Sequence, residues 1–213
     1  MRLIKDILFP ESVKGRELDA YLAKGWYRIG QAIFTTDYIP AFELNPDQFK
    51  IPLDFDEDGD ERDFAISDFY YRVHWLRFRL KDYVFGNSQQ KLIRQNEQFN
   101  IHISPFKNDR EIESLYTAYR SSVNFDISST LRESLLGPLY LPGHNHVYDT
   151  WIIQLRHGER LVAAGIFDKG TDSMAGIINF FRPEFSRYSL GRYLMLLKIR
   201  YALENDLKFY YPG

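Results

Sequence analysis

The 213-residue chain has no cysteine. That absence excludes disulfides, thiol nucleophiles, thiolate zinc sites and iron–sulfur clusters together. Nor is there an excess of one charge: 27 Lys and Arg face 29 Asp and Glu, for a net charge of −2. Without a global basic field, a nucleic-acid partner has to be met by a local patch. Long hydrophobic runs are missing as well. No window approaches the roughly 18 uncharged apolar residues of a membrane span. Between Met1 and Val13 only Ile7, Leu8 and Phe9 form an apolar run, with no small-residue cleavage site after it. The expectation is a cytoplasmic protein with no membrane partner. Aromatic residues, by contrast, are plentiful at 16%, with 15 Tyr and 17 Phe, and hydrophobic residues make up 45%. This is the composition of a globular chain able to build a sizeable core.

Charge is unevenly spread along the chain. Asp54–Asp63 (DFDEDGDERD) holds seven acids and one Arg, and reads as a solvated loop between strand-like stretches at Ala41–Leu44 and Asp68–Leu80. Asp54, Asp56, Asp58 and Asp60 match the first half of a calcium loop, but Ala65 stands where a bidentate Glu is needed. His144 and His146 lie two apart with no third ligand nearby, so no metal site is predicted. No repeat or Pro/Ser-rich linker divides the sequence. The best boundary lies near Gln98, after the basic stretch Gln89–Asn96. It separates a smaller β-rich N-terminal region (residues 1–98) from a second domain (residues 99–213).

Beyond that boundary the periodicities are legible. Phe99–Ser104 alternates with period two and is ended by Pro105. Asp109–Val123 places Ile112, Leu115, Tyr116 and Tyr119 on one helical stripe, with Asn108 or Asp109 as cap. Ser128–Leu136 opens like a capping box, Glu133 following Thr130 by three, and stops at Gly137-Pro138. Three strand-like runs follow, Tyr148–Leu155, Leu161–Asp168 and Met174–Phe181, separated by hairpin turns at His157–Glu159 and Lys169–Asp172. A helix is predicted over Leu190–Glu204 with Ser189 as its cap, and Leu207–Tyr211 returns as a strand. The fold class is therefore α+β, with the order β-α-α-β-β-β-α-β. Three meandering strands, a helix and a strand resemble the acyltransferase core of N-acetyltransferases of the GCN5-related type, an analogy of architecture only.

The junction Phe180–Tyr193 resembles the Phe/Tyr-Tyr-x-Pro-x-Phe-Ser-x-x-Ser-Leu-Gly-x-Tyr motif of the aminoacyl-tRNA–protein transferases, the arginyltransferases and their bacterial leucyltransferase relatives. It is carried here by Phe180, Phe181, Pro183, Phe185, Ser186, Ser189, Leu190, Gly191 and Tyr193. Phe209–Gly213 is similar to the family's Tyr-rich strand ending in Gly, and Leu161–Asp168 to its strand ending in Asp. Gln90–Asn96 is similar to its basic Gln-Arg stretch, and Gly25–Gly30 to its Gly-Trp-Arg-Arg-Ser-Gly block. The resemblance covers roughly Tyr21–Gly213, weakest over Ala41–Asp68. The family's N-terminal cysteines have no counterpart, and Tyr27, Ile29 and Gln95 replace an Arg, a Ser and an Arg.

The resemblance implies transfer of Arg or Leu from aminoacyl-tRNA to the α-amine of proteins with an acidic N-terminal residue, tagging them for degradation, with no cofactor. The donor ester is already activated, and an α-amine with a pKa of roughly 7.7–8.0 is partly neutral near pH 7. Positioning and an oxyanion site can then supply much of the rate. Asp149 and Asp168, near strand ends, are the candidate carboxylates to take the amine proton. Ser189, Leu190, Gly191 and Tyr193 open a helix whose backbone N–H groups suit the donor. Lys91, Arg94 and Arg192 are the expected tRNA contacts, with Arg77, Arg79 and Lys81 nearby in sequence. Arg28 is the expected reader of an acidic acceptor. Lys198 and Arg200 read as ordinary surface charges. Two other functions share this fold expectation: an N-acyltransferase using acyl-CoA, weakened by the missing glycine-rich pyrophosphate loop, and a non-catalytic tRNA- or peptide-binding relative.

Overall fold

The computed structural model describes residues 6–40, 70–125, 127–137 and 146–212. The acidic loop with its partial calcium pattern, the Ala41–Leu44 run and His144 lie outside these residues. Strands β1 (Asp6–Leu8), β2 (Tyr27–Ile29) and β3 (Ala32–Thr35) form a small antiparallel sheet in the order β1-β3-β2, beside helix α1 (Arg16–Ala23). β4 (Tyr38–Pro40) pairs with β5 (Tyr70–Arg72). Among its described residues, the Asp68–Leu80 run, strand-like in pattern, supplies only β5 and β6 (Phe78–Arg79), with irregular chain between them. The basic stretch before Gln98 is helix α2 (Asn87–Gln95), so the N-terminal region carries two described helices besides its strands.

From residue 99 onward the observed order is β7 (Asn100–Pro105), α3 (Arg110–Arg120), α4 (Leu131–Leu136), β8 (Thr150–His157), β9 (Arg160–Lys169), β10 (Ser173–Phe181), α5 (Leu190–Glu204) and β11 (Phe209–Tyr211), with a 3-10 turn at Pro183–Tyr188. This is the α+β order expected from the periodicities. The strands and β6 make one sheet, β6-β11-β10-β9-β8-β7. β7 to β10 are antiparallel, and the α5 crossover makes β11 parallel to β10. Central β9 (RLVAAGIFDK) is buried over most of its length. It reads as a nearly continuous apolar run because both its faces are covered.

One face packs against α5, through Phe167, Met174, Leu190, Tyr193, Leu194 and Leu197. The other packs against α3 and α4, through Ile112, Leu115, Tyr116, Leu131, Ile166 and Phe180. Each such large apolar side chain contributes roughly 1.5–3 kcal/mol of transfer free energy. A third cluster joins Leu18, Leu22, Tyr27 and Ile33 to Tyr148, Ala175 and Tyr211, seating the small sheet on the large one.

Local caps fix the element ends. Asp109 accepts from the Ile112 N–H at 2.9 Å, and Thr130 accepts from Glu133 N–H at 3.0 Å. Glu133 in turn accepts from Ser129 N–H, one residue before the cap. Asp19 of α1 accepts from the N–H groups of Thr171 and Asp172 and from the Ser173 hydroxyl, closing the β9–β10 turn. A Cβ on Gly170 would lie 2.1 Å from the Asp19 carboxylate, so only glycine fits there.

Candidate active site

Arg28 leaves β2 and enters the protein. Its Nη1 lies 2.9 Å from Asp168 Oδ1, and the two side chains are 4% and 1% exposed. The same guanidinium donates to Thr150 Oγ1, to the Leu135 carbonyl and to the Gly30 carbonyl, and lies 4.5 Å from the Tyr148 ring centroid. Thr150 donates to Asp168 at 2.7 Å. Gln31 adds a bond to the Leu135 carbonyl and accepts from Val147 N–H. Burial pushes the Asp168 carboxyl above its ordinary range, against the pull of Arg28 and Thr150. Burial and the neighbouring Arg28 and Lys14 hold His146 below its usual value. Arg28 and Asp168 thus face each other in one buried knot tying the β2–β3 hairpin to β8, β9 and α4. With its donors engaged inside the protein, Arg28 presents no exposed guanidinium to an acceptor. Asp149 is exposed and accepts from the Trp151 indole N–H.

The start of α5 lies at the other end of the sheet. Ser189 adopts a left-handed conformation (φ 53°, ψ 44°) and makes no side-chain cap bond, contrary to the expected cap. With no side-chain cap, the first N–H groups of α5 lack that partner. Gly191 is half-buried and φ-ordinary; a Cβ there would sit 3.5 Å from Phe181, in normal contact. Leu190 and Tyr193 point into the core, and Arg192 is exposed. α2 packs beside α5. Just past its end, the buried Asn96 amide donates to the Tyr188 carbonyl at 3.2 Å. The exposed Lys91 and Arg94 therefore stand on the helix that leans against the α5 start.

The expected site splits in two. Asp168 pairs in register with Ala175 on β10, whereas the chain enters α5 after Phe181, which pairs with Ala163. At about 3.3 Å per residue, roughly 20 Å of strand separates the expected carboxylates from the expected donor-binding residues. Between them β10 is paired with β11 only at Ser173–Ala175. Beyond that point, among the described residues, its second edge has no strand beside it.

Lys198 is the residue that sequence reasoning missed. It is 1% exposed, and its Nζ donates to the Ile166 carbonyl at 2.8 Å. The β10 register shifts between Gly176 and Ile178, opposite this part of β9, and the ladder is broken there. Burial pushes the amine down to about 7, with Asp168 the nearby charge that opposes the shift. The neighbouring Asn179 Oδ1 is buried without a hydrogen-bond partner, as is the Tyr210 hydroxyl beside Gly176. The near-continuous apolar run around Lys198 was the available signal: Leu194, Leu196, Leu197, Ile199 and Ala202 are all buried, leaving no polar face for a lysine among them. Arg200 is partly exposed, 3.9 Å from Glu204.

Residues 99–213 match the family model described as "Arginine-tRNA-protein transferase, C terminus". Among curated relatives, an aspartate/glutamate leucyltransferase of Helicobacter hepaticus is 27% identical over 143 residues, 65% of this chain and 58% of that protein. One from Alcanivorax borkumensis is 24% identical over 163 residues, 69% of this chain and 63% of that protein. The matches thus span about three fifths of these relatives' length. A solved C-terminal domain of a putative lysylphosphatidylglycerol synthetase from Agrobacterium fabrum has 10% identity and a TM-score of 0.49, covering 65% of this chain and 45% of that one. No described helix is long and apolar enough to cross a membrane.

Proposed function

Because the chain belongs to the arginine-tRNA-protein transferase family, we propose that it moves an aminoacyl group from aminoacyl-tRNA to the α-amine of an acceptor protein. The observation carrying this reading is the position of the matched residues. They form β7 to β11 and α5, whose first turn adjoins the exposed cations Lys91, Arg94 and Arg192. We read this core as N-acetyltransferase-like, the acyl donor lying along the unpaired edge of β10.

In this arrangement the RNA end is held where α5 starts, with phosphates near Lys91, Arg94 and Arg192 and backbone N–H groups of Leu190 and Gly191 facing the donor. Leu190 and Tyr193 anchor that turn from the core. The aminoacyl ester reaches along β10 toward the carboxylate end. There the acceptor amine loses its proton to Asp149, the exposed carboxylate of the two. The roles of Arg28 and Asp168 are positional: their ion pair fixes the β2–β3 hairpin against β8 and β9. The amine attacks the ester carbonyl, a tetrahedral intermediate forms, and the ribose oxygen leaves with a proton.

The names of the curated relatives make leucine the first aminoacyl group to test and acidic N-terminal residues the first acceptors. Labelled Leu-tRNA and Arg-tRNA offered with peptides differing only in their first residue decide the matter. Label is expected to move to peptides beginning with Asp or Glu. No transfer from either RNA to any peptide would overturn the reading.

A further inference from the structure

Four aromatic rings meet at the surface where the β8–β9 turn, the chain after α2 and the turn before α5 converge. Phe99 is buried beneath them and touches His157, Phe185 and Tyr188, with centroids 5.9, 6.0 and 5.3 Å away. His157 and Phe185 are 5.9 Å apart, and Phe185 and Tyr188 are 6.1 Å apart. His157 is exposed, and Phe185 and Tyr188 are half-buried. The Arg187 guanidinium lies 4.8 Å from the Tyr188 ring centroid and donates to its hydroxyl at 2.8 Å.

Charges of both signs border these rings: the exposed Glu97, Glu159 and Glu184 lie within two residues of Phe99, His157 and Phe185, and Glu184 is paired with Arg160. Lys91, Arg94, Arg187 and Arg192 are all exposed, and among the described residues none of them pairs with a carboxylate. The Asn96 bond to the Tyr188 carbonyl ties the ring's backbone to the helix that carries Lys91 and Arg94. Partly exposed aromatic residues interleaved with unpaired cations suit one class of polyanion: a single strand whose bases have free faces to stack, with phosphates that need countercharge. A duplex hides those faces, and an acidic peptide has none.

We propose that His157, Phe185 and Tyr188 form a stacking platform for the unpaired nucleotides at the 3′ end of the donor RNA, with Arg187, Arg94 and Arg192 holding the adjoining phosphates. This rests on the aminoacyl-tRNA reading and specifies which part of that substrate the α5 end receives. The platform lies at the end of the sheet where α5 starts, on its β7–β8 side.

The test measures anisotropy of the full-length protein with a labelled single-stranded RNA and with a blunt RNA hairpin of equal charge, beside the transfer assay. Wild type is expected to prefer the single strand. Tyr188→Leu and Phe185→Leu should each weaken single-strand binding about tenfold, since stacking contributes on the order of 1–3 kcal/mol per base. They should leave the salt slope and hairpin binding unchanged. Tyr188→Trp, which keeps a ring, should retain the preference, separating lost stacking from lost folding; thermal midpoints are recorded for all three. Arg94→Ala with Arg187→Ala should lower the salt slope by about 1.4 and weaken both RNAs. Equal wild-type affinity for the two RNAs, or a folded Leu variant with undiminished preference, overturns the platform while leaving the transferase reading intact if label still moves. A strand preference lost with the rings but without any transfer would uphold the platform and sink the transferase reading.

Discussion

Replacing Lys198 by Met removes a titrating group from the centre of the molecule, and the effect has a calculable pH dependence. Burial pushes this amine down to about 7, whereas in the unfolded chain it returns to about 10.4. Between those values the unfolded state holds a proton that the folded state lacks, so this residue's contribution makes wild-type stability rise with pH across that window. Below about 7 both states are protonated and the full penalty of a charged buried amine remains, about 4–5 kcal/mol at 1.36 kcal/mol per pH unit. The Met variant has no such penalty. It does leave the Ile166 carbonyl without the Lys198 donor, a loss of about 1–3 kcal/mol that does not vary with pH. At pH 6.5 Lys198→Met is therefore expected to be roughly 1–4 kcal/mol more stable than wild type, in line with replacement of other buried ionic groups by apolar ones. That advantage should shrink by about 2–3 kcal/mol between pH 7.5 and 9.5. Urea unfolding of both proteins at half-unit pH steps measures the difference directly, other titrating groups cancelling. Parallel profiles across that range would refute the reasoning, because they would mean that Lys198 keeps the same protonation in both states.

Three other perturbations follow from the site. Arg28→Ala strands a carboxylate that is 1% exposed, so it should cost about 3–5 kcal/mol in stability. It should also reduce transfer to acidic and neutral peptides equally; a selective loss on acidic peptides in a protein of wild-type stability would restore Arg28 as an acceptor reader. Gly191→Val places its Cβ in ordinary contact with Phe181, so the thermal midpoint should move by only a few degrees, about 1 kcal/mol, while transfer nearly disappears. Collapse of stability, or wild-type turnover, would remove Gly191 from the donor site. Lys91→Glu with Arg94→Glu should weaken tRNA binding and flatten its salt dependence by roughly one log–log unit for each phosphate no longer neutralised; unchanged affinity and slope would displace the patch.

The second half of the chain was largely legible because its signals are local. Asp109 and Thr130 are caps whose bonds close within three residues, and α5 runs over the same Leu190–Glu204 that its spacing predicts. The hairpins at Gly158 and Gly170 lie between the expected strands for the same reason. Sequence was less informative where long-range packing decides. α1 and α2 lie within the region read as β-rich, and their burial is against distant strands and α5. The run Asp68–Leu80 is rich in strand-forming residues, yet among its described residues only those that meet β4 and β11 become strand.

The sequence by itself determined the family, the element order after residue 98 and the residue types at each candidate site, because motifs and periodicities are properties of neighbours along the chain. Only the tertiary structure decided what those residues meet. Arg28 and Asp168 are separated by 140 positions yet share one ion pair. Asp168 and Gly191 are separated by far fewer positions yet lie at opposite ends of a strand pair. Lys198 looks like an ordinary helical charge until α5 is laid on β9, where its amine meets the Ile166 carbonyl and water is excluded. Ionisation and contact depend on the local dielectric and on through-space distance, and the fold sets both.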